Sequence, residues 1–147
     1  MSAPARRLFL AIALLAVAGI GVSLVSLDHH FRKSKTSYCD FGESFNCDLV
    51  NRSEYSTVAG VPVALIGILG YAALLAFATF YRDKAETPGI LVVGSLGGLG
   101  FALYLTYVEK YVLFAWCILC LSSLALIFLI TLLSVVLLLR SMRTTVA

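Results

Sequence analysis

With 147 residues, 61% of them hydrophobic and 13% charged, and a mean hydropathy of +0.97, the chain lies far outside the composition of soluble domains. The formal net charge is +3, and no basic patch carries interleaved aromatics, so nucleic acid is not an expected partner. The apolar residues run continuously instead of alternating, which excludes a β-barrel and leaves an all-α integral membrane protein.

In chain order, four apolar stretches free of charge stand out, at 8–27, 61–81, 89–108 and 111–139. Each reaches the roughly 20 residues needed to cross a hydrocarbon core of about 30 Å. The expected fold is a four-helix membrane bundle, one domain over 1–147, with an outer loop at 28–60. The first stretch follows Arg6 and Arg7, as a secretory signal does, but no small-x-small cleavage site closes it before Asp28, so it reads as a retained helix.

With four spans the two termini share a side with the turn around Arg82 and Lys84. That side holds six basic residues (Arg6, Arg7, Arg82, Lys84, Arg140, Arg143) against five opposite (Arg32, Lys33, Lys35, Arg52, Lys110). The bias places both termini in the cytoplasm, and the loop 28–60 and the turn around Glu109 and Lys110 outside. All four cysteines then fall on the outer side, where disulfides persist.

Those cysteines are the chemical inventory. Cys39 and Cys47 sit in the polar loop, seven residues between them, and Cys117-Ile118-Leu119-Cys120 opens the last apolar run. A helix beginning near Trp116 would turn unpaired amides and its positive dipole end toward the pair, stabilising a thiolate. Successive thiolate attack on disulfides would let the two pairs pass electrons in relay. Two static disulfides and a four-cysteine zinc site remain as alternatives. Cys120 already lies inside an apolar helix, so no metal is expected.

The order of Cys39-x7-Cys47, Ser53, Gly60-Val61-Pro62 opening a helix that continues Gly67-Ile68-Leu69-Gly70-Tyr71, and then Trp116-Cys117-Ile118-Leu119-Cys120 resembles the vitamin K epoxide reductase family in its bacterial form. The resemblance covers about 8–140. It implies a four-helix bundle around a quinone of the ubiquinone or menaquinone class, in the cell (inner) membrane, with an extracytoplasmic site. Similar members oxidise a thioredoxin-like (DsbA-like) periplasmic protein and pass the electrons to the quinone, whereas animal members reduce vitamin K and its epoxide. By resemblance Cys120 engages the quinone, Cys117 is its partner, Cys47 bonds Cys117, and Cys39 returns to Cys47 or meets the substrate protein. Ser53 matches a loop serine that helps hold the site.

The quinone pocket is expected at Cys120, Leu124, Val63 and Ile66. Leu124 stands where animal enzymes carry a tyrosine, and Val63 or Ala64 where they carry an asparagine, so a plain quinone fits better than an epoxide. Some bacterial members are fused to a thioredoxin-like domain; this sequence ends at Ala147, and a separate thiol partner is expected. A DsbB-type oxidase also has four helices but carries its C-x-x-C in the first outer loop.

Other features have plainer readings. Gly94 and Gly98 form a G-x-x-x-G pair suited to close helix packing. Tyr104, Tyr107, Tyr111, Phe114 and Trp116 read as an interfacial belt. His29 and His30 are adjacent, do not converge, and read as interfacial.

Overall fold

The structure, a computed structural model, describes residues 2–31 and 54–146. Cys39, Cys47, Ser53 and most of the loop 28–60 lie outside the described residues. Four α-helices dominate: α1 (Ala3–Phe31), α2 (Val63–Thr79), α3 (Thr87–Val108) and α4 (Ile118–Val146). α1 and α4 have the length and apolarity to cross a membrane, as does α3 with the turn that follows it (Thr87–Leu113), which makes this a multi-pass membrane protein. The 17-residue α2 is shorter, about 26 Å at ~1.5 Å per residue.

Local chemistry sets the boundaries. A small antiparallel hairpin, β1 (Thr57–Val58) with β2 (Val61–Pro62), precedes α2. Its two-residue turn puts Ala59 and Gly60 at φ of 52° and 81°, the positive values that a tight hairpin requires. Pro62 then ends the strand, and its fixed φ leads into the helix at Val63. Between α2 and α3 the chain emerges through exposed Arg82, Asp83, Lys84 and Glu86. The Thr87 hydroxyl donates to the Tyr81 carbonyl and closes that turn, and Pro88 occupies the first turn of α3, where no amide donor is missed.

The largest departure from the sequence reading lies between α3 and α4. The uncharged stretch 111–139 reads as a single span, yet α4 begins only at Ile118. Glu109–Leu113 form a π-helical turn, Phe114 adopts a left-handed conformation at φ 52°, and the Ala115 N–H returns to the Glu109 carbonyl at 3.1 Å. Glu109, expected in an exposed outer turn, is buried at 1% exposure.

The core runs along the bundle through Phe9, Ile12 and Ala16 of α1, Tyr71, Leu74 and Ala78 of α2, Leu91 of α3, and Ile127, Ile130 and Leu137 of α4. α1 packs on α2 and α4, and α3 on α4. Apolar surface is no drive to association in lipid, so close fit and interhelical hydrogen bonds matter more. The glycine pair behaves accordingly. A Cβ at Gly94 would touch Leu74 at 3.4 Å, and one at Gly98 would press on Ile127 at 3.2 Å.

Candidate active site

At the start of α4 the two cysteines stand on either side of the helix boundary. Cys117 immediately precedes the helix and is fully buried, while Cys120 lies in its first turn, half-buried. The Cys117 carbonyl accepts the Leu121 N–H at 3.0 Å, and its own N–H donates to Glu109 Oε2 at 3.2 Å. One carboxyl group therefore fastens the π-helical turn to the head of α4. The Cys120 thiol faces two acceptors, the Cys117 sulfur and the Glu109 carboxyl group. Donation from Cys120 holds the Cys117 thiol below the usual range, against burial and the Glu109 charge, which push it up.

Beside the pair, all four helices and the hairpin enclose a cavity of about 360 Å³, within the range of small-molecule sites. Its walls are largely apolar, with Val22, Val63, Ile66, Leu74, Phe101, Leu105 and Ile127 among them. Cys120 lines it; Cys117 does not. Of the pocket residues expected from sequence, Cys120, Val63 and Ile66 meet here, and Leu124 does not line the cavity. On α4 the inward stripe is Cys120, Ser123 and Ile127, and Leu124 sits on its flank, away from Ser123.

Polar groups that the sequence reading missed complete the wall. The Tyr71 hydroxyl donates to the Ser123 carbonyl at 2.9 Å and lies 2.8 Å from Ser123 Oγ, so α2 and α4 are joined at the cavity. Glu109 lines the same space. At the hairpin end of the cavity His30 Nδ1 and Ser56 Oγ share a hydrogen bond of 3.3 Å, and both residues line it. His29, read as interfacial, is fully buried, and His30 belongs to the wall. The aromatic belt is different: Tyr104, Tyr107, Tyr111 and Phe114 are exposed, and neither they nor Trp116 line the cavity.

The model of the vitamin K epoxide reductase family matches residues 10–135, most of the chain and all of this arrangement. The chain belongs to the vitamin K epoxide reductase family. No curated protein matches it in a sequence search. Membership gives this vitamin K epoxide reductase family protein its coarse activity, that of a membrane thiol oxidoreductase of a quinone-linked family.

Proposed function

We propose that the protein takes electrons from a thioredoxin-like (DsbA-like) protein outside the cytoplasm and delivers them to a membrane quinone, supporting disulfide formation. Electrons enter at Cys39 and Cys47, move to Cys117 and Cys120, and leave to a quinone of the ubiquinone or menaquinone class. Ser53 helps hold the loop end of the site. The observation that carries this reading is the division of the C-x-x-C pair: Cys120 opens onto an apolar cavity, and Cys117 is held outside it.

The residues present fit a quinone. Ile66, Leu74 and Phe101 offer an apolar bed for a ring. The Tyr71 and Ser123 hydroxyls, 2.8 Å apart, put a polar pair on an otherwise apolar wall, where a carbonyl oxygen can be met. Bound there, a quinone supplies a two-electron, two-proton acceptor.

The protein's own groups divide the remaining work. Cys117, with its thiol held low, is the sulfur suited to bond with the loop thiol Cys47. Cys120, on the cavity wall, is the sulfur that faces the acceptor. The largely apolar walls beside Cys120 give the exchange a setting that disfavours water.

The orientation we propose sets both termini in the cytoplasm and the site outside, in the cell inner membrane. Exposed Arg82 and Lys84 in the turn after α2 support it, together with Arg6, Arg7, Arg140 and Arg143. Purified protein in lipid nanodiscs should reoxidise a reduced thioredoxin-like protein only when quinone is added. Reoxidation at the same rate without quinone would refute the reading.

A further inference from the structure

Among the described residues, Glu109 is the acidic side chain that the helices bury. Oε2 is occupied by the Cys117 N–H, but Oε1 is buried with no hydrogen-bond partner among the described residues. The group beside it is the Cys120 thiol, and both line the cavity. A bare carboxylate in such a place carries a heavy desolvation cost, so a carboxyl group held here is stable either protonated or facing a proton donor. Glu109 thus sets one oxygen on the amide of one cysteine and leaves the other bare in a carboxyl group that adjoins the thiol of the second.

We propose that Glu109 is a catalytic residue, the proton carrier of the Cys117–Cys120 pair. The inference rests on the redox role proposed above for that pair. When the pair is a disulfide, an incoming protein thiolate attacks Cys117 Sγ. A new S–S bond forms, the Cys117–Cys120 bond breaks, and its electron pair leaves on Cys120 Sγ. Glu109 Oε1 gives its proton to that sulfur and becomes a carboxylate. The incoming thiol loses its own proton to water as it ionises, so Glu109 begins the step as the acid and ends it as the carboxylate, and the step is balanced. In the reverse direction the carboxylate takes the Cys120 proton as the disulfide closes.

Other titratable groups face the same space. Cys117 and Cys120 adjoin Glu109 at the head of α4, and His30, Tyr55 and Tyr71 line the cavity from α1, the hairpin approach and α2. Lys110 is turned outward over the Tyr111 ring at 5.1 Å. The charge and the anchor can be separated, because Glu109→Gln keeps an oxygen for the Cys117 N–H but carries no exchangeable acid. Loss of the charge should also let the Cys117 thiol ionise at lower pH, since the carboxylate opposes that ionisation.

The test uses the full chain in nanodiscs with Cys39→Ser and Cys47→Ser, so that only the C-x-x-C pair cycles. Infrared difference spectra between disulfide and dithiol states should contain a carboxylic acid band that shifts in heavy water and is missing from Glu109→Gln. Opening of the disulfide by a small dithiol should slow about 100-fold or more in Glu109→Gln, the usual worth of a positioned proton donor. A spectrum without a carboxyl change, a band that survives in the variant, or an unchanged rate would overturn the inference while leaving the redox role intact. A pair that cannot be cycled at all would refute both. If Glu109→Gln fails to fold, the presence or absence of the carboxyl band in the parent chain decides.

Discussion

The ring of Tyr71 occupies the space that a side chain at Gly19 would fill. This close approach of α2 to α1 carries the Tyr71 hydroxyl across the bundle to Ser123 on α4, so three helices are registered at the cavity by one side chain. A small residue on α1 thus sets the geometry of a polar contact on α4.

That relationship makes a graded prediction. Tyr71→Phe removes the interhelical hydrogen bond and should cost about 0.6–2 kcal/mol, read by thermal unfolding in detergent. Gly19→Leu should cost more, about 1–3 kcal/mol from overpacking, because the ring must move away. Both should weaken quinone binding. Gly21→Ala, at a position with nothing within 4 Å, should leave stability and binding near those of the parent.

Cys117 should titrate as an acidic thiol. Its thiolate absorbance should appear at lower pH than that of an ordinary cysteine, because the protonated Cys120 thiol donates to it. Replacing Cys120 by alanine removes the donor and should move the transition upward. An unchanged midpoint in Cys120→Ala would mean that the helix end alone sets the acidity of Cys117.

The proposed orientation predicts labelling from outside. A membrane-impermeant thiol reagent should modify reduced Cys39 and Cys47 on intact cells, given that the basic turn around Arg82 and Lys84 stays within. Modification of the loop only after lysis would reverse the orientation.

The four helices were legible because each rests on a long uncharged run, a signal that depends on composition alone. The interruption before α4 was not, since residues 111–117 are as apolar as the helix they precede. What shapes that turn is a carboxyl group reaching an amide eight residues on, a contact without periodicity. The visible sign was Glu109 itself, which with Lys110 interrupts the otherwise uncharged stretch 89–139. Val63, Ile66 and Cys120 could be assigned to a pocket by resemblance. Tyr71 and Ser123 could not, because their pairing depends on how α2 and α4 are rotated against each other. Leu124 does not line the cavity for the same reason: one position along a helix turns a side chain by about 100°. For the loop thiols the roles still rest on sequence, as Cys39 and Cys47 fall outside the described residues.

The central claim is that electrons leave the protein through Cys120 into the cavity. The direct measurement is quinol formation by purified Cys120→Ala in nanodiscs, supplied with quinone and a reduced thioredoxin-like protein. The account predicts no quinol above the protein-free rate, from a variant that stays inserted and still forms mixed disulfides through its remaining cysteines. Quinol formation at the parent rate would contradict it and remove Cys120 from the terminal position.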